Sequence, residues 1–374
     1  MREAVVIIDA SGAIEAGGVD VLLRHSEYGE QLLEKSIGRY HLVIVGSRKL
    51  CQLASENRID NLIVLGHGVD KFSQTLIFLR LHRILKTNSL MPRLFVVGDP
   101  WKSGFAGLLL KLTRYKDVPI QLQIHADYCA LGWKFQGLKY ILKFIIAKLI
   151  VSRYQILRLV SLSQAKHMKL RNSKRVDIIP VPLPQTQINF SRKKRKKHEE
   201  AITFGFFGRL DVDRGTELLI EIFVNIMSRN SSIKLIVGGE GPERVRLQKQ
   251  LALRFPSQVY LIGYVTEKEA KTFWKKIDVL ISLARFESFG RAIRESLLYS
   301  RPVIALPSSG VLDLMAEVGP TWVNLIEPKD SPQVIIAKAE NLVRLRVRTD
   351  LPDAIKSPLN SSKLLSAAWI DIIG

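Results

Sequence analysis

The sequence predicts an α/β protein made of two consecutive doubly wound domains. Apolar runs of strand length recur through both halves, most of them are followed by a helical pattern, and a polar, strongly basic stretch separates the halves. Strand–helix alternation predicts a parallel sheet covered by helices on both faces. A chain of 374 residues with 47% hydrophobic content exceeds what one core usually organises, so two domains are the default.

In the first half the runs Ala4–Ile8, His41–Val45, Asn61–Leu65, Arg93–Val97, Ile120–Ile124, Leu157–Leu162 and Val176–Val181 read as strands. After Pro180-Val181-Pro182-Leu183-Pro184 the composition turns polar and reaches Arg192-Lys193-Lys194-Arg195-Lys196-Lys197, which reads as a linker. The second alternation opens at Ile202–Phe207, continues with a helix at about 215–229, and has strands at Lys234–Val237, Val259–Ile262, Val279–Leu283 and Pro302–Ala305. Ser361–Ile373 reads as a short amphipathic helix. The expected division is a domain over 1–183, a basic linker over 184–200, a second domain over 201–345, and a segment over 346–374 whose helix packs back toward the first domain.

Two cysteines, Cys51 and Cys129, make no disulfide framework and lie in no zinc spacing, which fits a reducing cytoplasm. The run Val5–Ile8 is too short for a signal-peptide core. The long apolar stretch Tyr140–Val160 is interrupted by Lys143, Lys148, Arg153 and Arg158, so no transmembrane helix is predicted. The net charge of +21 is uneven: residues 71–183 hold 20 basic and 4 acidic side chains. Such a concentration attracts an anionic surface, whether lipid headgroups, a lipid-linked pyrophosphate or nucleic acid.

The strongest local pattern runs from Val279 to Leu297 and includes Arg285-Phe286-Glu287-Ser288-Phe289-Gly290-Arg291-Ala292. It reads as strand, turn and helix, followed by a strand at Pro302–Ala305. Gly290 permits close backbone approach, and a helix starting there aims unpaired N–H groups and a positive dipole end at a ligand, as a diphosphate requires. Glu287 precedes the turn and Glu295 lies about a turn and a half into the helix, so one carboxylate is placed for a sugar and the other for a ribose. Two glutamates eight apart would alone read as solvated charges; their setting reverses that.

With these residues the chain resembles the retaining glycosyltransferases of family 4, which have the GT-B fold, two Rossmann-like domains facing a central cleft. Their signature is two glutamates separated by seven residues with Phe-Gly between them, matched by Glu287, Phe289-Gly290 and Glu295. The resemblance implies that Glu287 contacts the transferred sugar, that Glu295 binds the ribose hydroxyls, and that the amides from Ser288 and Phe289 through Gly290, Arg291 and Ala292 hold the diphosphate. Gly208-Arg209 matches the family's Gly-Arg, and Arg214-Gly215 stands where Lys-Gly is usual, which keeps the charge but changes its geometry. Arg209 and Arg214 would stabilise the departing nucleoside diphosphate. Val237–Pro242 resembles the family's glycine-rich turn. In the first half, Gly17-Gly18-Val19-Asp20 stands where the family has Gly-Gly-x-Glu against the donor phosphates, although Gly-Gly is also an ordinary loop signal. His125, at a strand end, stands where the family carries a functional His near the transferred sugar. Asp127 is a weaker candidate for an acceptor-side base.

The resemblance further implies retention by front-face substitution, with nucleotide-sugar as substrate, no cofactor and no metal. Asp211-Val212-Asp213 lies inside the Gly-Arg loop and is not read as a metal motif. The acceptor domain would be the basic first half, where Phe72–Lys86, Phe105–Lys116 and Tyr140–Ser152 alternate Arg and Lys with Leu, Ile and Phe and suit a membrane surface. The expected partners are therefore a nucleotide-sugar donor, a saccharide or polyprenyl-diphosphate-linked acceptor and an anionic membrane, with the protein peripheral on the cytoplasmic leaflet. A merely solvated basic surface explains the same charge. A basic nucleic-acid-binding protein, and a sugar-nucleotide epimerase or hydrolase on the same fold, are the alternatives; no nucleic-acid-binding motif is recognised.

Overall fold

A computed structural model of the chain describes residues 1–59, 61–66, 77–172, 174–183, 202–345 and 360–374. It divides into two compact units, Met1–Pro182 with Asn360–Gly374, and Leu183–Leu359. The basic run Arg192–Lys197 and the segment 346–359 lie outside the described residues, as does the start of the basic pattern at Phe72.

The first unit contains strands β1 (Arg2–Ile8), β2 (Tyr40–Gly46), β3 (Ile63–Gly66), β4 (Leu90–Val97), β5 (Ile120–Ile124), β6 (Ile156–Leu159) and β7 (Arg175–Ile178). They form one parallel sheet in the order β3-β2-β1-β4-β5-β6-β7. The chain order reverses between β1 and β4, which opens a crevice at the carboxyl ends of those strands. Helices α1 (Ala13–Ala16), α2 (Gly18–Lys35), α3 (Arg48–Glu56), α4 (Ile77–Thr87), α5 (Lys102–Leu110), α6 (Leu138–Ser152) and α7 (Leu162–Met168) connect the strands. Two strand ends fall short of the sequence expectation. The run Leu157–Leu162 breaks after Leu159 because Ser161 Oγ accepts the Gln164 amide at 3.3 Å and starts α7. The run Val176–Val181 stops at Ile178, ahead of Pro180 and Pro182, which have no N–H to continue a ladder.

The second unit repeats the design with β8 (Thr203–Phe207), α8 (Thr216–Met227), β9 (Lys234–Gly238), α9 (Arg244–Leu247), β10 (Val259–Gly263), α10 (Glu267–Lys276), β11 (Val279–Ser282), α11 (Arg291–Leu298), β12 (Val303–Ala305), α12 (Ser309–Val318), β13 (Val323–Leu325) and α13 (Pro332–Leu345). Its parallel sheet runs β10-β9-β8-β11-β12-β13. The switch lies between β8 and β11. Thr266 caps α10 in a reciprocal box with Glu269. Phe204, Leu219, Phe223, Leu235, Ile281 and Ile304 belong to one buried cluster between this sheet and its helices. The edge strand β13 was not among the strands read from the sequence.

The last helix, α14 (Ser361–Ile373), belongs to the first unit and packs on α2. Leu365 and Trp369 are fully buried with Val5, Leu42, Leu94 and Val96. The Trp369 indole donates to Gln121 Oε1 at 2.9 Å and meets Tyr28 edge-on. Beneath it runs a buried polar ladder. Gln123 donates to Gln121 Oε1 at 3.3 Å, and Arg158 donates to Gln123 Oε1 at 2.9 Å and to the Ile179 and Pro180 carbonyls. Arg158 is a buried guanidinium held by these neutral acceptors, and burial lowers its pKa.

Replacing Trp369 by Ala is expected to cost about 3–5 kcal/mol, the range for deleting a buried indole. Trp369→Phe keeps most of the volume but leaves Gln121 short of a donor, at about 1–3 kcal/mol. Urea denaturation measures both; a cost near zero for the alanine variant would mean that α14 is not part of the unit's core.

Candidate functional site

The carboxyl ends of β8 and β11 flank the switch point of the second unit, and the predicted donor residues emerge there. After β8 the chain turns through Gly208, Arg209 and Leu210, which bond to the turn after β9: Gly208 N donates to Gly238 O at 3.0 Å and Leu210 N to Glu240 O at 2.9 Å. The glycine-rich Val237–Pro242 turn therefore supports the Gly-Arg loop. Asp211 Oδ1 accepts the Arg214 amide at 3.1 Å while Oδ2 pairs with Arg209 Nε at 2.9 Å. Both carboxylate oxygens of Asp211 are thus committed to the loop. The Arg209 side chain is 68% exposed, so its remaining N–H groups face solvent.

After β11 the loop 283–290 delivers Glu287, Ser288, Phe289 and Gly290. Arg214 Nη1 forms a close ion pair with Glu287 Oε2, and Glu287 Oε1 accepts the Gly290 amide at 3.2 Å. Gly290 sits at φ 76°, a left-handed conformation that suits glycine, and caps α11 without a side-chain hydrogen bond. The amides of Arg291, Ala292 and Ile293 precede the first intrahelical bond, from Arg294 N to Gly290 O at 2.9 Å, and are available to an anion. The structure thus brings Arg209, Arg214, Glu287 and the start of α11 together at one sheet end.

What holds this loop was not anticipated from the sequence. Arg294, buried on α11, makes a two-pronged ion pair with Glu317 of α12 at 2.6 and 2.9 Å. The same guanidinium donates to the Phe289 carbonyl at 3.3 Å and lies 4.6 Å from the centre of the Phe289 ring. On the other side, Gly310 N donates to Glu287 O at 2.8 Å, and α12 approaches so closely that a Cβ on Gly310 would stand 2.7 Å from Phe289 N. Next to this contact the buried Ser308 hydroxyl has no hydrogen-bond partner. Glu295 is 4% exposed, and its Oε1 accepts the Trp274 indole N–H at 3.1 Å. The ribose carboxylate of the sequence reading is therefore an almost buried group oriented by a tryptophan.

In the first unit the outcome is mixed. His125 follows β5 at its carboxyl end and is exposed. Dense protein around the ring, then the positive charges of Arg158 and Arg24, push its pKa down to about 3. Its exposure argues for a smaller fall in the same direction; either way the imidazole is neutral at pH 7. Gly17 and Gly18 lie where one helix closes and the next begins. Gly17 closes α1, its N–H bonding to the Ala13 and Ile14 carbonyls at 3.1 and 3.2 Å, and Gly18 begins α2, with Asp20 in its first turn. The amides after β1 are occupied by Asp9, whose carboxylate accepts from Ala13, Ile14 and Glu15 at 2.8, 3.1 and 3.3 Å. Burial raises the Asp9 pKa while those three amides oppose the rise.

Asp127 also differs from its expectation as an acceptor-side base. Its side chain is fully buried and accepts from His167 Nδ1 of α7 at 2.8 Å. The exposed partner is His167, and in the neutral ring this bond leaves Nε2 as the acceptor nitrogen. No spacing signal links residues forty apart, so only the fold pairs them.

Residues 187–356 match the family model of glycosyl transferases group 1. An uncharacterized glycosyltransferase of Methanocaldococcus jannaschii is 29% identical over 143 residues, which cover 37% of this chain and 36% of that protein. The match thus spans about a third of that relative's length. The capsular polysaccharide biosynthesis glycosyltransferase CapM of Staphylococcus aureus is 22% identical over 84% of this chain and 82% of its own. Among solved structures, HepE of Anabaena with UDP-glucose superposes with a TM-score of 0.64 at 14% identity, covering 100% of this chain and 97% of that one. The chain has the GT-B fold, and within it residues 187–356 are similar to the glycosyl transferases of group 1.

Arg294→Lys removes the planar fork that holds Glu317 and the Phe289 carbonyl together, and is expected to cost about 1.5–3 kcal/mol. Gly310→Ala should displace loop 283–290 and weaken nucleotide binding more than it lowers stability. Denaturation and calorimetric titration with nucleoside diphosphates separate the two effects; unchanged nucleotide affinity in both variants would contradict the clamp.

Proposed function

We propose that the protein is a retaining glycosyltransferase that moves a sugar from a nucleotide-sugar to a saccharide or polyprenyl-diphosphate-linked acceptor, in the synthesis of a cell-surface polysaccharide or glycolipid. The observation that carries this reading is the meeting of Arg209, Arg214, Glu287 and the amino end of α11 at the switch point of the second unit. That grouping offers cations and free amides to a diphosphate and a carboxylate to a sugar.

In this reading the diphosphate accepts hydrogen bonds from the amides at the start of α11 and from Arg209. Arg214 replaces the lysine usual in the resembling family, and its several donors suit it to keep Glu287 while also reaching a phosphate oxygen. As the bond from the anomeric carbon to the diphosphate breaks, charge gathers on the leaving oxygen, where these fixed donors act most strongly. The acceptor oxygen bonds to the anomeric carbon on the same face, and its proton passes to the leaving phosphate. No step calls for a metal or a cofactor. Glu287 holds a hydroxyl of the transferred sugar and Glu295 the ribose hydroxyls, while for neutral His125 the resemblance implies a role near the transferred sugar. The unpaired Ser308 hydroxyl is an additional candidate contact for the donor. The basic first unit takes the acceptor, and the protein works as a peripheral protein of the cytoplasmic leaflet.

Nucleotide release across a panel of nucleotide-sugars, with and without a lipid-linked saccharide, is the direct test. Release that needs no acceptor would favour a hydrolase, and isomerised sugar-nucleotide an epimerase. Glu287→Ala should lower kcat by about 10²–10³, the effect of losing one transition-state contact. Glu295→Gln, which keeps an acceptor for Trp274, should raise the donor KM by about 10-fold. His125→Asn should lower kcat more than it changes KM. Because the His125 pKa is held below the ordinary imidazole value, no acid limb near pH 6.5 should arise from it. Wild-type kinetics in all three variants would remove these residues from the site.

A further inference from the structure

The helix α6 breaks the usual arrangement of an amphipathic surface helix. Its core side is Ala147, Ile150 and Val151. On the opposite side Leu138, Ile141, Leu142, Ile145, Ile146 and Leu149 are all exposed, Leu138 by 85% and Leu149 by 61%. Their spacing of three and four residues places them on one stripe, the pattern that ordinarily faces a protein core. The stripe is extended by Leu131 and Phe135, which are 94% and 71% exposed just before the helix. Beside it, Phe105, Leu108 and Lys111, from α5 and its carboxyl end, face Leu149, Ile150 and Arg153 across a groove of about 510 Å³. A continuous exposed apolar surface of this kind marks an interaction face.

The charge around the stripe indicates what covers it. Residues 101–153 contain nine Lys and Arg side chains and two acids, and one of those acids, Asp127, is buried against His167. Lys143 lies over the Trp101 ring at 5.3 Å, while Lys134 and Lys148 lie over Phe144 at 5.3 and 5.7 Å. An exposed aliphatic stripe flanked by lysines that pack on aromatic rings is the composition of a helix lying in a lipid headgroup layer. A second copy of the chain would set these like charges against one another, and a nucleic acid would leave the aliphatic stripe in water. Among the described residues no helix is long and apolar enough to cross a membrane, so the contact is with the surface.

We propose that the outer face of α5 and α6 is an anionic-bilayer docking surface. The Leu138–Leu149 stripe enters the acyl boundary, the surrounding Lys and Arg hold phosphate headgroups, and the α5–α6 groove takes a lipid chain whose headgroup meets Lys111 and Arg153. The inference deepens the lipid-linked acceptor of the proposed function and rests on that reading for its purpose.

Co-sedimentation of the full chain with phosphatidylcholine vesicles, with or without phosphatidylglycerol, tests it. The wild type should bind the anionic vesicles at least about tenfold more tightly, and should lose most of that advantage in about 1 M salt, where the Debye length is about 3 Å. The double variant Leu142→Glu with Leu149→Glu should lose binding about tenfold or more, whereas Leu253→Glu, the same change at an exposed leucine of the second unit, should not. Nucleotide-sugar binding reports that each variant is folded and should be unchanged. The docking surface is overturned if the wild type ignores phosphatidylglycerol, or if the double variant binds as the wild type does. It is equally overturned if the wild type is a dimer that the double variant converts to monomer, since the occupant is then a second copy. Sugar transfer to a soluble acceptor without vesicle binding would overturn the docking surface alone. Vesicle binding without nucleotide-sugar binding would instead leave it standing and remove the proposed transferase.

Discussion

The candidate donor residues from Glu287 through the start of α11 depend on where loop 283–290 sits, and a buried guanidinium ties that loop to the helices beside it. Arg294 ties α11 to α12 through Glu317 and grips Phe289 by both its carbonyl and its ring. A buried cation is costly unless nearly all its donors are used, and here the loop backbone supplies one acceptor. The loop therefore cannot move without exposing a charge to an apolar surround. Gly310 closes the other side, leaving no room even for a methyl group. This rigidity keeps Glu287 at Arg214 and leaves the first amides of α11 open, and a preorganised set of donors is what a diphosphate leaving group needs.

The first unit solves a different problem. Its sheet carries Gln121, Gln123 and Arg158 on a buried face, which would be destabilising if any of their groups lacked a partner. The carbonyls of Ile179 and Pro180 take the guanidinium, and the Trp369 indole takes Gln121. The last residues of the chain are thus structural members of its first domain. After desolvation, the same Arg158 adds to what disfavours the protonated form of His125, so the polar ladder also bears on the charge state of a candidate catalytic ring.

The uneven charge of the chain gains a location in the fold. The excess over 71–183 includes a cationic rim around the exposed aliphatic stripe of α6, next to the groove shared with α5. Charge alone would fit a solvated surface, and an apolar stripe alone would fit a protein interface. Their coincidence on one helix suits a lipid headgroup layer better than either.

Much of the architecture was legible in the sequence, because strand and helix periodicities are local and the two alternating series were long. The glutamate pair at 287 and 295, Gly290 and the two arginines at 209 and 214 could likewise be read, since the turn and helix start that group most of them lie within one short segment. Tertiary structure decided the rest. Whether an amide is free depends on what lies nearby: Asp9 occupies the amides after β1, and Gly17 closes a short helix where a phosphate loop was expected. Asp127 became a buried partner of His167 for the same reason, as burial is a property of neighbours forty residues away. Arg294 and Glu317, and Glu295 and Trp274, are pairs with no shared spacing, brought together only when two helices and a sheet pack. Sequence determined the kinds of groups present, and packing determined which of them remain available to a ligand.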